Sequence, residues 1–252
     1  MTHRRQLKVL ALMVAAHALS TFVSYAFFIE QLASFVGAPM PELPLPPAVY
    51  GLLNGGIVLV IYGLMGLLGY WFARKVGLPG IFSEDGNWRR WVVIPLALGA
   101  VCGVALVIGD LFFAQFNGIG RFPHPAFPVS IFPSLSAGIG EEIAMRGVVF
   151  GLWALILNWL LKRFGGRTAA LWIANVIAAL AFGAGHFPSL LMITGVKSMA
   201  EVSPWLVAEV LLLNGIVGLV AGHRYMKDGL VAAAGVHFWT DVIFHVMWGA
   251  IP

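Results

Sequence analysis

Seven apolar stretches, near 7–29, 47–72, 91–115, 129–152, 168–187, 204–222 and 229–250, constrain this chain more than any other feature. About 20 helical residues cross about 30 Å of hydrocarbon. Inside a bilayer only helices and closed barrels satisfy every backbone group. No stretch alternates as a barrel strand would. The sequence therefore predicts an all-α, polytopic membrane helix bundle of about seven to eight transmembrane helices, forming one integral-membrane domain over 1–252. Composition agrees: 60% of the 252 residues are hydrophobic and 10% are charged. That leaves too little polar surface for a water-soluble domain of this size.

The cations give an orientation. Twelve fall at the N-terminus and in alternate loops (Arg4, Arg5, Lys8; Arg74, Lys75, Arg89, Arg90; Lys162, Arg163, Arg167; Arg224, Lys227), and the other loops hold only Arg121 and Lys197. The positive-inside rule then predicts a cytoplasmic N-terminus and, for seven spans, a C-terminus on the far side. An eighth span or a re-entrant piece around 187–203 would return the C-terminus. The expected location is a prokaryotic plasma membrane. Leu7 to Phe28 is long for a signal peptide and lacks a small-residue cleavage site, so it reads as a retained helix. The net charge of +4 follows from basic loops and implies no nucleic acid. Cys102, the one cysteine, leaves no disulfide or cysteine metal cluster within the chain. The Pro-rich stretches at 39–47 and 122–128 end helices in loops. The pairs Gly51/Gly55, Gly99/Gly103, Gly147/Gly151 and Gly218/Gly222 predict close helix packing.

Against this background GEEIAMRG (140–147) is costly. A charged side chain at the centre of a membrane helix costs about 2.5–3.5 kcal/mol on insertion scales. Glu142 and Arg146, four apart, share a helix face and can pair. Glu141 is rotated about 100° away and is left over. An ion pair beside a protonated glutamate would be purely structural, but other spans add polar groups. FGAGH sets Phe182 and His186 four apart, and HFWTD does the same for His237 and Asp241. Polar groups in a bundle face inward and find one another. Together they could hold a water or a metal ion. Glu141 would act as general base, with the imidazoles orienting the water or stabilising an oxyanion.

The ordered set EExxxR, FxxxH and HxxxD/N resembles the CPBP family, the CAAX prenyl protease and bacteriocin-processing (Abi) intramembrane endopeptidases of type II CAAX protease kind. The resemblance covers about 141–241, within a motif-bearing core near 129–250. It implies that Glu141 activates the attacking water with His186, that Glu142 and Arg146 support it, and that His237 and Asp241 stabilise the oxyanion. Asp241 stands where the prenyl-protein proteases of the family usually carry Asn. An ionised Asp donates no hydrogen bond, so it must be protonated, paired with His237, or orienting. The implied substrate is a membrane-associated or lipidated peptide or protein. The family has been described both with and without an essential metal. Here Glu141, His186 and His237 could bind zinc or another divalent ion, although HExxH is absent.

Other readings of the same residues are a proton-coupled transporter or relay and a non-catalytic membrane scaffold. Few spans and no inverted repeat count against transport. Ser136 in LSAG and Asp110 in VIGD each miss a glycine of the known serine and aspartyl intramembrane motifs. Asp110 could pair with Asp241 as an acid dyad, or could serve as a packed acid or hydrogen-bond partner, and Glu209 shares that ambiguity. His17 and His245 are expected to make single interhelical hydrogen bonds outside the site. Oligomeric state leaves no mark in the sequence.

Overall fold

A computed structural model describes residues 2–35 and 44–251. Among these residues there is no strand, and seven helices are long and apolar enough to span a membrane. They are α1 (His3–Phe27), α2 (Pro47–Lys75), α3 (Arg89–Phe113), α4 (Ile131–Phe164), α5 (Arg167–Thr194), α6 (Pro204–Asp228) and α7 (Leu230–Ala250). A short helix, Ile29–Phe35, follows α1. Residues 39–43 of the first Pro-rich stretch lie outside the described residues. The chain is an integral membrane protein with the all-helical fold expected.

Burial separates lipid-facing helices from inner ones. Over its most apolar window α2 is only 17% buried, and Leu52, Ile57, Leu64 and Trp71 point outward; α7 is 50% buried and packs on α3, α4 and α6. The apolar outward faces match hydrocarbon, which does not penalise them as water would. α1 packs on α2 and on the first half of α4, and α5 packs on α6.

Two irregularities position the polar groups. The 34-residue α4 is about 50 Å long at 1.5 Å per residue, so it must tilt or protrude. It changes to π-helical geometry over Ile143–Phe150, directly after the adjacent glutamates, and α7 does the same over Val242–Met247, directly after Asp241. Such turns are frequent at functional sites. α5 is interrupted at His186, where Pro188 enters the first turn of the following segment, Phe187–Thr194. Residues 187–203 therefore extend α5 and end in a short turn at Met199–Glu201. They form no eighth span.

All four glycine pairs lie at helix contacts. Gly51 and Gly55 face α1, Gly99 and Gly103 face α7, Gly147 and Gly151 face α2, and Gly218 and Gly222 face α5. A close backbone approach joins α2 to α4: a Cβ on Gly69 would lie 2.6 Å from the Gly147 Cα. Backbone cannot yield as a side chain can. Gly69→Ala should therefore lower the thermal midpoint in detergent by several degrees. Gly63→Ala, whose Cβ would meet nothing within 4 Å, should leave it unchanged. Equal midpoints would contradict the packing.

Candidate active site

The adjacent glutamates have different environments because consecutive helical residues point about 100° apart. Glu142 is fully buried, and its Oε1 lies 3.0 Å from Arg146 Nη1. The same oxygen is 2.9 Å from His237 Nδ1. Arg146, also fully buried, donates from Nη2 to the Gly218 carbonyl at 2.9 Å, and its guanidinium lies 4.9 Å from the Phe182 ring centre. Arg146 thus ties α4 to α6 and rests on α5, while Glu142 ties α4 to α7.

Glu141 opens on a cavity of about 240 Å³ that His186, His237 and Asp241 also line. Its Oε2 lies 4.0 Å from His186 Nε2, and the two side chains are 39% and 32% exposed. That distance is too long for a direct hydrogen bond but suits one bridging water. His186 Nδ1 lies 2.9 Å from the Phe182 carbonyl. Only a protonated Nδ1 can donate there, so the neutral ring presents Nε2 to Glu141 as an acceptor. The break at His186 frees the ring to turn toward α4. Phe182 lies edge-on to both His186 and His237, with ring centres 5.0 and 5.2 Å away. It separates the imidazoles and fixes their planes.

His237 is held more closely by Glu142 than by Asp241, the partner its own helix suggests. Nε2 stands 3.7 Å from Asp241 Oδ2, which is ion-pair rather than hydrogen-bond distance. Among the described residues no group of three His, Cys, Asp or Glu could hold a metal ion. The set Glu141, His186 and His237 does not close as a ligand shell: Glu141 faces His186, while His237 faces Glu142 and Asp241.

Several expectations change. Asp110 forms no dyad with Asp241. Its Oδ1 accepts from Phe122 N at 2.7 Å and its Oδ2 from Trp248 Nε1 at 3.0 Å. Glu209 lines the cavity and accepts from Asn117 Nδ2 at 2.7 Å. These two buried acids pin the 114–130 loop, which supplies Phe122 and Pro125 to the cavity wall. His17 makes no hydrogen bond; it packs edge-on against Tyr62 and against Gly140, because its surroundings on α1 are apolar. His245 does make one hydrogen bond, Nδ1 to Nδ1 at 2.9 Å, but its partner is His124 of the loop. His245 also lies on the cavity wall, because it is one helical turn beyond Asp241. The i, i+4 run His237, Asp241, His245 was the signal for this.

Residues 123–243 match the family model described as Type II CAAX prenyl endopeptidase Rce1-like. That stretch, just under half of the chain, is similar to this family. It contains every motif residue named above and begins within the loop pinned by Asp110 and Glu209. No curated protein and no solved structure matches the chain. The likeness supports a protease in general terms, and the seven apolar helices support an integral membrane protein.

Two predictions follow from this arrangement. Removing one partner of a buried ion pair leaves an uncompensated charge, at about 3–5 kcal/mol. Glu142→Ala and Arg146→Ala should therefore cut folded yield and thermal stability sharply, whereas the cavity-facing Glu141→Ala should keep wild-type stability. The second concerns His124, outside the spans, whose pKa burial lowers from 6.5 to about 4, with Asp110 opposing the shift and Arg121 adding to it. Below pH 6.5 the unfolded chain takes up a proton that the folded chain refuses. This contribution is complete above pH 6.5 and is lost as pH falls toward 4. His124→Gln should flatten the stability profile across that window, as read by thermal unfolding at a pH series.

Proposed function

We propose that the chain is an intramembrane endopeptidase that hydrolyses a peptide bond of a membrane-associated or lipidated peptide or protein, with water activated by Glu141 and His186. The observation that carries this reading is the 4.0 Å gap between Glu141 Oε2 and His186 Nε2 on the cavity wall. A water in that gap meets two acceptors at once. Glu141 takes a proton as the water oxygen attacks the carbonyl carbon. The resulting oxyanion forms near His237 and Asp241. When the C–N bond breaks, the proton held by Glu141 passes to the leaving nitrogen.

His237 suits oxyanion stabilisation because Glu142 accepts from its Nδ1, which orients the ring with Nε2 toward the cavity; a protonated ring would donate from Nε2. Asp241 at 3.7 Å fits an orienting partner better than a donor. Glu142 and Arg146 are positioning residues, since neither lines the cavity. No step is drawn through a metal, because Glu141, His186 and His237 do not converge on one point. The cavity lining includes Glu141, Glu209 and Asp241 but no Lys or Arg. No cation there would neutralise a substrate carboxylate, so a neutral or basic segment suits the wall. A prenylated C-terminus, the class the family description implies, would have to hold its terminal carboxylate clear of these acids.

The test compares peptide termini in membranes from cells making the wild type, Glu141→Ala or His186→Ala at equal folded levels, by mass spectrometry. General-base catalysis is worth about 10²–10⁴-fold, so termini generated by the wild type should vanish with both variants. Persistence in Glu141→Ala would sink the assignment. Inhibition of the purified protein by a chelator, reversed by zinc, would overturn its metal-free form.

A further inference from the structure

At the opposite end of the bundle from the catalytic cavity lies a concave pocket of about 590 Å³. Four cations line it, Arg74, Arg90, Arg167 and Lys227, against two carboxylates, Glu84 and Asp85. They come from four separate parts of the chain: the end of α2, the start of α3, the start of α5 and the end of α6. Topology signals alone would only distribute cations among loops. Here they converge on one hollow.

The hollow has a fixed wall. Gln6, 3% exposed on α1, accepts from Ile81 N and Phe82 N at 2.8 and 3.2 Å and donates to the Phe82 and Pro79 carbonyls at 2.8 and 3.3 Å. The same segment bonds across to the α6–α7 turn through Ser83 N to Asp228 O, Leu230 N to Gly80 O and Val231 N to Ile81 O. Gly229, at φ +90°, allows that approach, since a Cβ there would meet the Phe82 backbone at 2.8 Å.

The charges on this frame are only partly compensated. Arg90 is compensated by buried Asp228, which also serves Arg224, and by exposed Asp85 at 3.5 Å, so the surplus rests on Arg74, Arg167 and Lys227. Arg167 donates to the Val76 and Gly77 carbonyls at 3.0 Å each, which fixes its position without cancelling its charge. Arg74 faces His3 and the Tyr70 ring. Among the described residues Lys227 has no carboxylate within ion-pair distance.

We propose that this pocket binds a phosphate anion, and that the membrane's own anionic phospholipid headgroups are a source of it. A surplus of preorganised Arg and Lys at the level where headgroups lie matches a phosphodiester in charge and in donor supply. The pocket stands apart from the cavity, so binding there is independent of the proteolytic reading.

The experiment measures thermal unfolding of the full chain in neutral detergent with added phosphatidylglycerol, phosphatidylcholine or inorganic phosphate. Phosphatidylglycerol should raise the midpoint and phosphatidylcholine should not, with the effect weakening as salt rises. The Arg74→Gln/Lys227→Gln double variant, altered at two exposed positions, should require about tenfold more phosphatidylglycerol for the same shift. Lys162→Gln/Arg163→Gln, two exposed cations at the same end but outside the pocket, should respond as wild type. If inorganic phosphate reproduces the shift and competes with the lipid, the phosphate site stands and its source is soluble. Equal responses to the two lipids, no shift with any ligand, or equal loss in the control variant would overturn the proposal.

Discussion

Everything at the candidate site hangs on one buried carboxylate oxygen. Glu142 Oε1 meets both Arg146 and His237, and neither glutamate nor arginine has measurable exposure. In hydrocarbon an isolated charge of either sign is expensive, so the bundle can assemble only if these groups meet. α4 brings the acid and the guanidinium, α7 brings the imidazole, and α6 offers the Gly218 carbonyl to Arg146 Nη2. The cluster therefore selects one mutual rotation of three helices. Apolar packing alone would leave those rotations loosely specified, because lipid tails solvate leucine as well as a neighbouring helix does.

The same rotation separates structural charge from chemical charge. Glu142 faces into the bundle and is consumed by two partners. Glu141, one residue earlier, is turned into the cavity and keeps a lone-pair surface free. Two adjacent carboxylates are thus the least sequence that can lock a helix and arm it at the same place. His186 and His237 divide in the same way: the helix break points one toward Glu141, and Glu142 holds the other. Phe182 makes contact with both rings and with Arg146, so a single aromatic side chain links the position of the ion pair to that of His186.

The spans were legible because a bilayer demands about twenty apolar residues whatever the tertiary contacts. The Glu142–Arg146 pair was legible because i, i+4 contacts lie within one helix. The Glu142–His237 contact was not, since 95 residues separate them and His237 has a nearer acid in sequence. Glu141, His186 and His237 stand at unequal depths along α4, α5 and α7 when each is drawn as a regular span. A 34-residue helix, two π-helical turns and a break at His186 bring them together, and of these only the break had a signal, in Gly183, Gly185 and Pro188. Asp110 and Glu209 were visible as anomalies but not as loop anchors, because their loop partners, the Phe122 N–H and Asn117, lie in a segment whose path no periodicity describes.

Loop anchoring explains why two more acids are tolerated at the cavity end. Hydrolysis inside a membrane needs water at one bond and its exclusion elsewhere. A volume of about 240 Å³ holds several waters and is small for a peptide with long side chains. On the proposed reading a substrate would enter as an extended segment, displacing water along its length but not between Glu141 and His186. Asp110 and Glu209 keep the 114–130 loop across that cavity by bonding to its backbone and to Asn117. Apolar contacts alone could not hold a loop with unpaired N–H groups beside hydrocarbon. Asp110 and Glu209 thus share one purpose with the ion pair of α4: each converts a costly polar group into a fixed position for its neighbours.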